Sequence, residues 1–434
     1  MKISGWGKYP IAEATILQPQ SSTEAKRIIL SGQACLIPRG RGRSYGDSAN
    51  ASLVLQTKYL DHYIDFNAET GVLSCEAGVS LSEILDLIIP HGWMLPVTPG
   101  TSFVTIGGAI ASDVHGKNHH HAGTFSNHLR SIDILLGSGQ LVTSSPTLHP
   151  DLFRATCGGM GLTGLIISAT IQLTSIKSSW INQKTLKASC IESLCDLFEQ
   201  HHQDTYSVAW IDCMASGSAL GRSLLMLGEH ATEGGLAFKE RIAFSVPMEP
   251  PFNVLNSFSI KIFNELYYRK SKATSGNTLL PFKNYFYPLD SLKNWNNLYG
   301  KTGFVQYQFV LPKSVGVKGL KKVLKVISDS GEASFLAVLK VFGPENTNYL
   351  SFPQEGYSLA LDFKLSQKVV ELIKTLDGLI IAMGGRIYLT KDALMSEKTF
   401  KLSYVNWDIF ESVREKYGAI GKFSSNQSTR LGLQ

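Results

Sequence analysis

Three glycine-rich clusters, set at intervals through a strand-rich stretch, constrain this chain more than any other feature. They are PRGRGRSYGDS at 38–48, PGTSFVTIGGAIASDVHG at 99–116 and GGMGLTG at 158–164. Glycine removes the Cβ, so backbone N–H groups can approach an anion closely. The first cluster, with Gly40, Gly42 and Gly46 directly after a predicted strand, suits either a pyrophosphate cradle or an ordinary glycine-rich hairpin turn. In the second, small residues stand where bulky side chains would block a planar ligand, and two such clusters in one domain point to a large phosphorylated cofactor. The third holds a formal G-x-G-x-x-G in Gly159, Gly161 and Gly164. A nicotinamide dinucleotide fold needs a strand before that motif and a helix after it. Here helical PDLFRATC precedes and the strand LIISATIQL follows, which argues against that fold.

Around the clusters, short apolar or alternating runs such as ACLIPRG, SLVLQT, HYIDFNAETGVLSCEAG and RSIDILLGSGQLVTS read as strands and tight hairpins. SSTEAKRIIL, with Ser22 or Thr23 able to cap, and SLSEILDLII, ended by Pro90, read as helices. Strands interrupted by single helices indicate an α+β fold. From about 180 to 386 the texture changes to longer mixed segments rich in aromatics, with strands such as GFVQYQFVLP and YSLALDF, read as a second α+β domain with an antiparallel sheet. Two segments, SVPMEPPFN at 245–253 and RKSKATSGNTLLP at 269–281, read as mobile loops near a site entrance. FKLSYVNWDIFESVREKYG near the end is helical.

At 434 residues, 44% hydrophobic and 18% charged, the chain can bury a large core in two or three globular regions. The net charge of +6 is spread without a Lys/Arg block, so no nucleic-acid arm is expected. Six cysteines without a CxxC pair suit free thiols in a reducing compartment. MKISGWGKYP lacks the apolar core of a signal peptide, and no apolar run is long enough to span a bilayer.

The histidines His115, His119, His120, His121 and His128 invite a metal reading, but only Asp113 lies nearby to complete a ligand set, and no metal is expected. His115, on a glycine-flanked turn, is expected to face the cofactor. Lys340 in FLAVLKVFGP and Lys391 in GGRIYLTKD read as lysines in otherwise apolar strands, where an unpaired buried ammonium is costly. Each either pairs with a carboxylate or faces an oxyanion in a cleft. Gln306 and Gln308 alternate with Tyr307 and so share one strand face, where they could orient sugar hydroxyls.

Taken together, PRGRGRSYGDS, PGTSFVTIGGAIASDVHGKNHH and GGMGLTG resemble the FAD-binding domain of the vanillyl-alcohol oxidase/PCMH superfamily. GWGKY, LYYRKS, FYPLD, GFVQYQFV, FGPENTNYLSFP, GGRIYLTKD and FSSNQSTRL extend the resemblance, over nearly the whole chain, to the decaprenylphosphoryl-β-D-ribose oxidase family. The resemblance implies a PCMH-type FAD-binding domain from residues 1–179, a substrate domain from 180–386, and a return to the FAD domain at 387–434. It implies that Arg41, Gly42, Arg43, Ser44, Tyr45 and Gly46 hold the pyrophosphate and flavin, and that Gly100, Thr101, Thr105, Gly107, Gly108, Ala109 and Ser112 line the flavin. His115, Gly116 and Lys117 would approach the isoalloxazine or substrate, and Gly161, Thr163 and Ile166 the adenine half. Lys391 would be the essential active-site lysine, with Gln306, Gln308, Lys340, Ser358 and Ala360 in the substrate pocket.

Two departures sharpen this. Many superfamily members attach FAD covalently through a histidine in G-H-S; here the place reads Gly42-Arg43-Ser44, so non-covalent FAD is expected. Some relatives carry cysteine where this chain has Ala360, and asparagine where it has Ser358. The implied reaction is oxidation of a sugar hydroxyl, the 2-hydroxyl of a polyprenylphosphoryl-β-D-ribose, as the first half of an epimerisation. Lys391, with Tyr45 or His115, would take the hydroxyl proton. Implied partners are the lipid-linked sugar and a nicotinamide-dependent keto-sugar reductase, in a cytoplasmic setting peripheral to the inner membrane. A soluble alditol or aldonolactone oxidase, or a catalytically silent flavin- or glycolipid-binding subunit, are the alternatives.

Overall fold

The computed structural model describes residues 1–32, 35–238, 244–248, 256–271 and 277–434. The fold is α+β, as the sequence suggests. Near the N-terminus, strands Thr15–Leu17, Leu53–Gln56 and Ile37–Arg39 lie side by side in that order, and both pairings are parallel. ACLIPRG and SLVLQT are strands, but the glycine-rich segment between them is therefore not a hairpin turn. A parallel partner must be reached by a crossover, so residues 40–52 swing out from the end of Ile37–Arg39 and carry the first glycine cluster with them. Helix Ser22–Leu30 is capped by Ser21, whose Oγ accepts from Glu24 N at 3.2 Å, one residue before the expected cap.

A five-stranded antiparallel sheet follows, in the order Leu141–Ser144, Leu129–Leu135, Leu165–Gln172, Val72–Glu76 and Tyr63–Asn67. Its two expected hairpins are present. Helix Leu81–Ile88 packs its apolar face on this sheet from a Ser80–Glu83 capping box. Helix Ile106–Ala111 carries Gly107 and Gly108 of the second cluster. The third cluster lies between helix Pro150–Thr156 and strand Leu165–Gln172, the reverse of the dinucleotide-fold order.

The largest sheet has eight antiparallel strands: Thr278–Pro281, Trp180–Ala188, Ser223–His230, Tyr206–Ile211, Ser334–Phe342, Gly356–Lys364, Phe304–Pro312 and Arg386–Ile387. Its register decides the chemistry. Gln306 faces Asp362, Gln308 faces Ala360, and Lys340 faces Ser358, which puts all six on one face. The alternate residues Tyr307, Phe309, Leu339, Leu359 and Leu361 are buried in a core shared with helices Ile191–Gln200, Gly316–Ser330 and Gln367–Ala382.

Two expectations about local structure are corrected. Within the supposed loops at 245–281, Arg269 and Lys270 form the last turn of helix Ser257–Lys270, and 278–281 is a strand. Asn256 starts that helix by accepting from Phe258 N and Ser259 N. Residues 249–253 and 272–276 lie outside the described residues. The C-terminal helical run is two helices, Glu397–Ser403 and Trp407–Lys416, broken at 404–406. Among the described residues, no helix is long and apolar enough to cross a membrane, and all six cysteines are free.

Candidate active site

The polar face of the eight-stranded sheet and the three glycine clusters enclose a chamber of about 900 Å³. That is near the upper end of small-molecule sites, which run to roughly 1,000 Å³. On the cluster side it is lined by residues 40–45, 99–101, 103–105, Gly107, Gly108, Ser112 and residues of 160–166. Among the described residues, the backbone N–H groups of Arg41, Gly42, Arg43 and Ser44 meet no acceptor, whereas those of Trp6 and Tyr45 are taken by Ser44 O and Thr390 O. A run of unspent donors on a glycine turn is what a pyrophosphate requires. Gly42 has φ +63°, and a Cβ there would lie 2.2 Å from Arg39 Nη2. Arg39 holds the loop from beneath, donating to Ala49 O, Asn50 Oδ1 and Ser4 O at 2.6–3.0 Å. These features fit a dinucleotide such as FAD. Arg43 stacks its guanidinium 4.1 Å from the Trp6 ring centroid and supplies no nucleophile for a covalent flavin link.

Lys391 lies in a turn after strand Arg386–Ile387, not in an apolar strand as expected, because the strand pairs for two residues only. Its Nζ rests 3.9 Å over the Tyr45 ring centroid. Burial pushes the Lys391 ammonium below the ordinary lysine range, Asp362 opposes that shift, and Lys340 adds to it. Asp362, buried on the same sheet face, accepts a hydrogen bond from Gln306, and its Oδ2 has no partner. Burial raises its carboxyl. Burial lowers Lys340 to about 8 with no carboxylate offsetting it, and lowers Lys117 to about 7 with help from Lys340. Lys117 donates to Tyr285 O.

His115 is boxed by Phe342, Phe352 and Tyr388 at centroid distances of 4.7, 5.5 and 5.0 Å. Its Nε2 lies 3.0 Å from Gln308 Nε2, an arrangement in which the amide donates and the ring is neutral. Burial, then Lys340, pushes its pKa well down, whereas burial and the charge of Asp362 push the Tyr45 hydroxyl well up. The shift at Lys391, in contrast, moves its ammonium toward neutrality.

Most of the expected site residues converge here, but four do not line the chamber. Gly46 is needed for close backbone approach: a Cβ would sit 1.9 Å from Asp392 O. Gly116 is hemmed in by Asn118 and Thr98, Ala109 is buried in helix Ile106–Ala111, and the Thr163 hydroxyl is spent on Thr156 at 3.0 Å. The other histidines form a short helix, His119–Ala122, or bond backbone: Gly343 N donates to His119 Nδ1, His120 lies 3.0 Å from Asp204 O, and His128 lies 2.9 Å from Ala122 O. Asp113, the carboxylate nearest them in sequence, accepts from Ser126 N, Asn346, Asn348 and Ser351 at 2.7–3.1 Å. Among the described residues no group of three or more metal-ligating side chains forms.

Sequence reasoning missed three features. One is Asp362, a lone carboxylate in the apolar strand YSLALDF. Another is an apolar arm of the chamber built from Trp210, Phe263, Tyr267 and Phe335. The third is the clamp on Lys391: Arg430 donates to Asp47 Oδ1 at 2.7 Å and Asp392 Oδ2 at 2.9 Å, and Gln427 to Leu389 O at 2.8 Å.

Residues 14–145 match the FAD binding domain family. The chain is 35% identical over 452 aligned positions to decaprenylphosphoryl-beta-D-ribose oxidase of Mycolicibacterium smegmatis, covering all of this chain and 97% of that protein. An uncharacterized protein of Streptomyces coelicolor is 29% identical across 82% of this chain and its own full length. D-lactate dehydrogenase of Archaeoglobus fulgidus is 28% identical, over only 36% of this chain and 38% of its own. With the cofactor cradle, the lysine on its tyrosine shelf and full-length similarity in agreement, the chain belongs to the decaprenylphosphoryl-β-D-ribose oxidase family of FAD-dependent oxidoreductases.

Proposed function

We propose that this enzyme oxidises the 2-hydroxyl of a polyprenylphosphoryl-β-D-ribose to a ketone, the first half of an epimerisation to the arabinose form. The observation that carries this reading is the mixed lining of the chamber. It gathers Lys391, Gln306, Gln308, Lys340 and Lys117, and it also takes in the aromatic cluster of Trp210, Phe263, Tyr267 and Phe335. A polyol alone has no use for such a cluster, whereas an anionic sugar carrying a hydrocarbon chain matches both sets of residues.

FAD, held by the glycine clusters, supplies the two-electron acceptor for the hydride that leaves the carbinol carbon. Lys391 in its neutral form takes the hydroxyl proton, and burial lowers the cost of keeping that amine neutral. Gln306 and Gln308 orient the ring hydroxyls from the sheet face, with His115 holding Gln308 in place. Lys340 and Lys117 offer positive charge to the phosphate. The keto product needs a nicotinamide-dependent reductase to complete the epimerisation, and we place the reaction at the cytoplasmic face of the inner membrane.

The test is anaerobic bleaching of the flavin by polyprenylphosphoryl ribose compared with free alditols. Bleaching by the lipid-linked sugar is expected; bleaching by the alditols alone would refute the assignment.

A further inference from the structure

Helix Ser257–Lys270 carries apolar side chains outward as well as inward, unlike a helix that only covers a core. Ile260 and Asn264 are its buried residues, while Phe258, Ile262 and Leu266 are 75%, 44% and 49% exposed. Spaced four apart, the three form one stripe on the side facing away from the protein. Of the nineteen large hydrophobic residues exposed among the described residues, eight fall between 244 and 279. That concentration in so short a stretch marks an interaction surface.

The surface is continuous with the chamber. Phe263 and Tyr267, on the flank of the same helix, line the apolar arm, with Tyr267 packed 4.9 Å from Trp210 and Phe263 5.6 Å from Phe335. Exposed Phe244 pairs with Leu292, and exposed Leu279 pairs with Asn182, the neighbour of Gln183; Leu292 and Gln183 both line the chamber. The border is basic. Lys261, Arg269, Lys270 and Lys293 are exposed, and the helix's one acid, Glu265, is paired with Arg222 and Arg269.

We propose that this helix docks the enzyme on an anionic lipid surface, with Phe258, Ile262 and Leu266 inserted among the acyl chains and the lysines and arginine at the headgroups. An apolar stripe bordered by cations has the composition of an in-plane interfacial helix. The chamber's apolar arm then opens where the hydrocarbon chain of a lipid-linked substrate already lies. That last consequence rests on the substrate reading above; the docking itself does not.

The FAD-loaded full chain is sedimented with phosphatidylcholine vesicles, with and without phosphatidylglycerol. Binding to the anionic vesicles is expected, reduced on the order of a hundredfold in a Phe258→Ser/Ile262→Ser/Leu266→Ser variant. A Lys261→Glu/Lys270→Glu variant, which leaves the stripe intact, should lose the preference for anionic vesicles. Because none of these side chains lines the chamber, flavin reduction by a short-chain, water-soluble prenylphosphoryl ribose should be unchanged. Failure of the unaltered enzyme to bind either vesicle overturns the proposal, as does equal binding by the triple variant or equal affinity for neutral vesicles. A wild-type dimer that the triple variant makes monomeric, with no vesicle binding, would assign the stripe to a second copy instead. Bleaching without vesicle binding removes this proposal and spares the substrate reading; vesicle binding without bleaching does the reverse.

Discussion

Replacing Lys391 by methionine removes the amine while keeping the side chain's length and apolar stem. If the neutral amine is the proton acceptor, flavin reduction should slow by roughly 10²–10⁴-fold, the usual contribution of one positioned base. That corresponds to about 3–5 kcal/mol of activation free energy. The fold should survive. The lost contact with the Tyr45 ring, worth about 0.5–2 kcal/mol, is offset by relief of the ammonium's desolvation. The pH dependence gives an independent check. Burial shifts the Lys391 pKa downward, so in the wild type the rate constant should rise with pH through a midpoint below 10.5, as the protonated form that cannot accept a proton disappears. Lys391→Met should lose that limb, and Lys391→Arg, which stays charged, should be equally slow. Anaerobic stopped-flow at the flavin's visible band measures all three, with the oxidised spectrum reporting bound FAD. A methionine variant within a few fold of wild type, or one that keeps the pH limb, would refute the role given to Lys391.

Arg430→Gln unclamps the Lys391 turn from Asp47 and Asp392 without touching the chamber; kcat should fall about tenfold or more with KM nearly unchanged and FAD retained, read by steady-state kinetics. Gly46→Ala forces a Cβ against Asp392 O and should lower the flavin-to-protein ratio of the purified enzyme, read from its absorbance spectrum. Arg414 is fully buried, donating to Leu162 O at 3.0 Å and Phe423 O at 2.8 Å beside Glu411. Arg414→Leu should cost about 3–5 kcal/mol in urea denaturation followed by tryptophan fluorescence. Lys340 is charged below its pKa of about 8 and neutral above it. KM for an anionic substrate should therefore rise as pH climbs through 8, and Lys340→Gln should flatten that rise.

What could be read from the sequence was local. Glycine clusters declare themselves because a close backbone approach has no substitute, yet they do not say what approaches. Gly46 makes room for Asp392 rather than for a ligand, and only the fold brings those residues together. The alternation FVQYQFV placed Gln306 and Gln308 on one face because strand geometry is periodic. The same logic, applied to an apolar strand that interrupts itself with a carboxylate, would have found Asp362. The apolar arm was invisible because Trp210, Phe263 and Phe335 come from three separated segments. Helix Ser257–Lys270 was partly mistaken for loop because its apolar residues point both inward and outward, which blurs the periodicity that identifies a core-covering helix.

The clamp at Arg430 also bears on the order in which the enzyme is made. The loop at 40–46 and the clusters at 99–116 and 158–164 leave the ribosome long before Lys391, and the residues that fix the Lys391 turn follow later still, at 427 and 430. The first glycine cluster itself depends on these late residues: Arg430 ties Asp47 of that cluster to Asp392 beside Lys391, and Asn426 N donates to Asn50 O just beyond it. A species shortened before residue 426 would lose both ties, so a tag or cleavage near this end should show itself in flavin content and turnover together.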